Sequence, residues 1–234
     1  MPTTIFVSPK GGVGKTTSAL ALATQLAKKG AAVTVIDADP NYPIQKWAEG
    51  GHCPENLRVI SGVTEDNISG RIREAAAIDP FVIVDLEGTA AKIVIHALQE
   101  ADFVVIPMRG SWLDAQQAGR AVALVHDQEM AVRRHVPDYT LPYSVLLTCT
   151  PPAYETRNTA ALRRGLKERG IPLFATEMTE REAFRSMFFF KRPLEALDSA
   201  QVPGIEKAIA NAEAFAAEVI ERLSGKVKSS EVAS

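Results

Sequence analysis

The chain predicts an α/β fold, a mostly parallel twisted sheet with helices on both faces. Three observations carry that expectation. Continuous apolar runs such as Phe81-Val82-Ile83-Val84 and Phe103-Val104-Val105-Ile106 read as strands buried on both faces. Stretches with apolar residues at helical spacing alternate with them, as repeated β-α units require. No Gly/Ser/Pro tract and no internal repeat divides the 234 residues, so one domain over 1–225 is the simplest account, with the small polar tail 226–234 expected to fray.

Taken in order, 4–7 reads as a strand and 18–27 as a helix ended by Lys29-Gly30. Residues 32–37 and 57–60 follow as strands. Residues 66–78 form a helix that Asp66 is placed to cap. Strand 81–85, helix 90–100 and strand 103–107 come next, the last stopped by Pro107. Helix 113–130, strand 143–148 and helix 156–169 continue the alternation. The final helix, 204–223, carries an apolar stripe from Ile205 through Ala212 and Phe215 to Leu223.

Bulk properties narrow the function. Apolar residues make up 46% of the chain, enough for a sizeable core, and the formal net charge of −2 excludes a wholly polybasic nucleic-acid binder. Cys53 and Cys149 stand far apart and outside any C-x-x-C pair, which argues for reduced thiols and against a metal, iron–sulfur or disulfide framework. No stretch approaches 18 uninterrupted apolar residues, and the first strand begins at once. The expectation is a cytoplasmic protein with no signal peptide, no membrane partner and no room for an N-terminal helix-turn-helix domain.

The chemistry gathers at Pro9-Lys10-Gly11-Gly12-Val13-Gly14-Lys15-Thr16-Thr17, between the first strand and the first helix. Glycines let backbone N–H groups turn toward an anion, and the helix N-terminus adds partial positive charge. Lys15 is then placed for the β- and γ-phosphates and Thr16 for Mg²⁺. Ligands in such sheets lie at the carboxyl ends of the strands, which puts Asp37, Asp85 and the loop after Val7 along one edge. Asp37-Ala38-Asp39-Pro40 follows the second strand, and two carboxylates one residue apart suit a Mg²⁺ and water network. Asp85 ends the fourth strand, where a carboxylate holds a Mg²⁺-bound water.

The loop departs from G-x-x-x-x-G-K-[ST] by having Pro9 in place of the first glycine and Lys10 after it. K-G-G-x-G-K-T-T closely resembles the deviant Walker A box of the ParA and MinD ATPases, and the surrounding motifs are similar to a small ParF-like branch. The resemblance implies a P-loop NTPase fold with ATP and Mg²⁺ as cofactors. It assigns Lys10, Gly11, Gly12, Val13, Gly14, Lys15, Thr16, Thr17, Pro107 and Met108 to the nucleotide. Thr16, Asp37 and Asp85 fall to the metal, and Lys10, Lys15 and Asp39 to catalysis, with Asp39 positioning the hydrolytic water. Lys10 is the signature lysine that reaches across a sandwich homodimer to the partner's phosphates. Where relatives often read T-P-P after the Walker B aspartate, this chain has Leu86-Glu87-Gly88-Thr89; Gly88 is a candidate hinge and Glu87 has no assigned role. Asp114, in Pro107-Met108-Arg109-Gly110-Ser111-Trp112-Leu113-Asp114, is read as a helix cap or an interface contact.

Residues 153–192 hold nine Lys/Arg against five acidic residues, a local excess of four positive charges. Phosphate contacts from such a patch give sequence-independent, salt-sensitive DNA binding. With the resemblance, Arg163, Arg164, Lys167, Arg181, Arg185, Lys191 and Arg192 become candidates for nonspecific double-stranded DNA. Met187-Phe188-Phe189-Phe190, between basic residues, is read as core or interface. The implied function is a ParA-type switch ATPase for plasmid or DNA partition. ATP drives its dimerisation, the dimer associates with the nucleoid, and a ParB-like or other small centromere-binding or adaptor protein resets it. The alternative is an ATPase that positions a protein cargo or assists conjugative or T-DNA transfer. A MinD-like membrane ATPase and a dethiobiotin-synthetase-like enzyme are weaker readings.

Overall fold

The computed structural model describes residues 1–87 and 91–231; the candidate hinge Gly88 lies outside them. Seven strands form one sheet: β1 (Thr3–Phe6), β2 (Val33–Ala38), β3 (Leu57–Ile60), β4 (Phe81–Leu86), β5 (Phe103–Arg109), β6 (Tyr143–Thr150) and β7 (Met178–Thr179). Their order is β3-β2-β4-β1-β5-β6-β7 and every pairing is parallel. Parallel neighbours need crossovers, and helices supply them. These are α1 (Lys15–Lys28), α2 (Pro43–Ala48), α3 (Ile68–Ile78), α4 (Ala91–Leu98), α5 (Trp112–Arg133), α6 (Arg157–Glu168), α7 (Glu182–Phe190) and α8 (Ile205–Glu231).

The central strands are buried along nearly their whole length because helices cover both faces. One layer is built by α1, α2, α7 and α8, with Leu20, Trp47, Met187 and Phe215 in its core. The other is built by α3, α4, α5 and α6, with Ile72, Leu98, Val125 and Leu162. Phe215 of α8 lies edge-on to Phe6 and Phe174, with ring centroids 6.5 and 5.3 Å away, and so ties the last helix to the first strand. No helix among the described residues is long and apolar enough to cross a membrane.

Several elements differ from the sequence reading. α2, β7 and α7 are additions, each short or lacking a clean apolar period. Asp66 does not cap α3, which begins at Ile68 after Asn67, and the Asn67 side chain instead accepts from the Thr64 N–H. α8 continues to Glu231, beyond the 223 at which the apolar stripe ends. Ser111, not Asp114, caps α5 by accepting from the Asp114 N–H.

Phe215→Ala is expected to cost about 3–5 kcal/mol of stability, because it empties a fully buried aromatic site. Urea unfolding of parent and variant measures it.

Candidate functional site

Pairing of the central strands sets the site. Register places Asp37 beside Asp85, and Asp85 beside Phe6, at the carboxyl ends of β2, β4 and β1. The chain leaves β1 and turns through Gly12 and Gly14, at φ of 70° and 85°, before α1 begins at Lys15. Those left-handed angles are open to glycine and strained for other residues. The first-turn N–H groups of α1 have no intrahelical acceptor and aim at the space in front of the loop. Thr148 holds the loop from behind. Its hydroxyl lies 2.7 Å from the Val13 carbonyl oxygen and 3.1 Å from that of Met108, which ties the loop to β5 and β6.

A cavity of about 460 Å³ opens over the loop. Gly11, Gly12, Gly14, Lys15, Thr16, Thr17, Asp39 and Glu87 border it on the loop side. It then continues past Arg109, Thr148 and Cys149 to the segment 178–181 and to Phe184 and Arg185 on α7. A group anchored by its phosphates at the loop has room for its remainder on that side. Pro107 and Met108, assigned to the nucleotide from sequence, do not border the cavity. They are buried within β5, paired to Leu146 and Leu147 of β6. The β6 and β7 ends take that place. Sequence reasoning missed Arg109, Thr148 and Cys149, and it had given Arg181 and Arg185 to DNA.

The carboxylates have different jobs. Asp37 is fully buried, and its Oδ2 accepts from the Ile44 and Gln45 N–H groups at 2.8 and 2.9 Å, anchoring the start of α2. Burial raises its pKa while those bonds hold it down. Asp39 stands at the cavity edge and accepts from the Asn41 backbone at 2.8 Å. Asp85 is wholly buried, and among the described residues neither of its oxygens meets a hydrogen-bond partner of ordinary geometry. Burial pushes its pKa up from 3.8 to about 7, against the pull of the nearby Thr16 hydroxyl and Lys15 ammonium. An orphaned carboxylate behind a threonine hydroxyl and a phosphate cradle fits a hydrated divalent cation. The described residues hold no group of three or more His, Cys, Asp or Glu set for a metal. The donor set of Thr16, carboxylate-held water and ligand phosphates therefore suits Mg²⁺.

Lys10 is turned to one side of the cavity. Its ammonium pairs with Asp114 Oδ1 at 2.5 Å, and the Ser111 hydroxyl donates to the other oxygen, Oδ2. Burial would raise the Asp114 pKa, but bonds from Lys10 and Ser111 outweigh it and hold the carboxyl below its usual range. Asp114 is buried while Lys10 is 43% exposed, so the lysine is poised at the rim.

Residues 4–194 match the family model described as the CobQ/CobB/MinD/ParA nucleotide binding domain. The chain belongs to that family. It is 37% identical over 223 residues to Protein ParA of Rhizobium radiobacter, covering 95% of this chain and 98% of that one. It is 34% identical over 169 residues to the maintenance of carboxysome distribution protein A of Gloeobacter kilaueensis, covering 70% of each. Among solved structures, the Cyanothece McdA(D38A)–ATP complex superposes with a TM-score of 0.70 at 18% identity, over 94% of this chain and 96% of that one. That likeness gives the same α/β P-loop fold.

The DNA candidates divide. Arg163 pairs with Glu155 at 3.1 Å and with Glu177. Arg185 pairs with Glu182 at 3.1 Å and with Glu180, and Arg181 borders the phosphate cavity with its Nε buried and without a partner among the described residues. Arg164 and Lys167 are exposed on α6, whereas Lys191 ends α7 and Arg192 follows it. Since α6 and α7 cover opposite sheet faces, segment 153–192 does not make one continuous basic surface. Phe189, read as core or interface, is 81% exposed.

A raised Asp85 pKa means that the folded chain keeps a proton there that the unfolded chain has lost. Stability of the ligand-free protein is therefore expected to fall as pH rises from about 4 to about 7, then level off. Asp85→Asn is expected to lessen that fall, leaving the part due to Asp37, and to exceed the parent at pH 8 by about 1–3 kcal/mol, in urea midpoints measured without metal or nucleotide. A variant less stable than the parent at pH 8 contradicts this account.

Proposed function

We propose that this chain is a ParA-type switch ATPase. It binds Mg-ATP, joins a second copy face to face, holds nonspecific DNA in that state, and is reset when a partner protein stimulates hydrolysis. The observation that carries this reading is Lys10, held by Asp114 at the rim of the phosphate cavity rather than turned into it. A lysine needed only for its own nucleotide has no reason to sit there. One that completes the site of another copy must be kept at the rim and be free to leave.

Each residue has a task in this scheme. N–H groups of the loop and the first turn of α1 hold the phosphates, and Lys15, nearly buried beneath them, balances their charge. Thr16 and a water held by Asp85 would bind Mg²⁺, which when bound offsets charge on the β- and γ-oxygens. Asp39, at the cavity edge, orients the attacking water. Asp37 keeps α2, and hence the turn carrying Asp39, in position. Hydrolysis is slow until a partner completes the site, because timing is the output.

Arg164 and Lys167 on α6, with Lys191 and Arg192 beyond α7, are the candidates left for DNA phosphates. Plasmid partition accords with the ParA relative. The second reading, a cargo-positioning ATPase, is favoured by the similarity to the carboxysome distribution protein and uses the same engine.

The test is size-exclusion light scattering with a nonhydrolysable ATP analogue. The parent is expected to dimerise, and Lys10→Ala to bind the analogue as a monomer. Asp114→Asn releases Lys10 from a half-exposed ion pair worth about 1 kcal/mol and is expected to tighten the dimer roughly fivefold. A Lys10→Ala variant that dimerises as the parent does removes the role in trans. Lys15→Ala is expected to lose tight Mg-ATP binding in calorimetry, and unchanged affinity would refute its phosphate role.

A further inference from the structure

A second cavity, of about 730 Å³, lies away from the phosphate loop, between α5 and α6. Its walls are single helix faces. Trp112, Ala115 and Gly119 come from α5, at spacings of three and four, and Ala161, Gly165 and Arg169 come from the α6 side, at spacings of four. Trp112 is 63% exposed at its mouth, next to Leu113 at 68%. Glycine inside a helix costs stability relative to alanine, yet a Cβ at Gly119 or Gly165 meets nothing within 4 Å. Packing within this chain does not require those glycines. An occupant whose backbone approaches closely does.

The charge beside the groove has one sign. Arg157 and Arg164 are exposed on the same stripe of α6 as Ala161, and Arg169 borders the groove itself. Among the described residues the ion pairs of α6 belong to Arg163, which leaves these three arginines against Glu168, the one acid on that stripe.

We propose that this groove receives an acidic amphipathic helix of a partner protein, with apolar side chains over the glycines and carboxylates on the arginine rim. Helix α6, 12 residues and about 18 Å long, offers such a helix about three turns of contact. Because Ser111 lines the groove and also bonds Asp114, an occupant touches the hydrogen-bond partner of the group that holds Lys10. The binding site itself does not depend on the ATPase reading.

The probe is a synthetic helical peptide of about four turns, leucine and alanine on one face and glutamate on the other, with a twin carrying lysine for glutamate. The chain has two tryptophans, and Trp47 is buried, so a change in emission on titration reports Trp112. Saturable binding of the acidic peptide to the nucleotide-free full chain is expected, weakening as salt rises. Gly165→Leu, which fills the groove, and Arg169→Glu are each expected to weaken it about tenfold or more with the circular dichroism unchanged. The lysine twin is expected not to bind. Equal binding of the twin, insensitivity to Gly165→Leu, or no binding of the acidic peptide would overturn the proposal. So would random duplex DNA producing the same Trp112 response, or self-association filling the groove without peptide.

Discussion

A buried carboxylate with no hydrogen-bond partner of ordinary geometry among the described residues governs this structure. Parallel pairing carries Asp85 to the end of β4, between β1 and β2, where burial withholds water and the fold supplies no full counterpart. Ionising it there costs free energy, which is why its pKa climbs to about 7. The groups arranged around it make sense as an incomplete electrostatic site. Lys15, the Thr16 hydroxyl and the loop amides offset part of the charge, and a divalent cation with phosphate oxygens fits the remainder.

Rigidity around that point comes from ordinary packing and a few polar ties. Thr148 clamps the loop to the β5–β6 side, and Asp37 clamps the α2 side by accepting two backbone N–H groups. Lys10 is the exception. Its ammonium rests on the buried Asp114 carboxylate in the first turn of α5, while the lysine itself is partly open to solvent. A fixed cradle with one half-exposed lysine beside it suits the switch proposed above. The apolar groove that begins at Ser111 and Trp112 adjoins this part of the site.

The fold was legible in the sequence where its physics is local. Continuous apolar strands and the glycine-rich turn gave the α/β class, the loop and the placement of Lys15, Thr16, Asp37, Asp39 and Asp85 at one edge. Short elements were not legible: the six residues of α2 owe their place to Asp37 and to Trp47 packing, both tertiary effects. The far side of the cavity was missed for a related reason. Thr148, Cys149 and Arg181 are brought to the loop by strand order, and no sequence period records which strands become neighbours. Charge counting likewise joined Arg163, Arg185 and Lys191 in one segment, while the fold sends α6 and α7 to opposite faces and gives Arg163 and Arg185 carboxylate partners.

The most direct test of the switch is binding to random-sequence duplex DNA, by anisotropy, with no nucleotide, ADP, ATP or a nonhydrolysable analogue, at two salt concentrations. The account predicts binding with ATP or the analogue alone, weakened at the higher salt. Equal binding in all nucleotide states, or none in any, would contradict it.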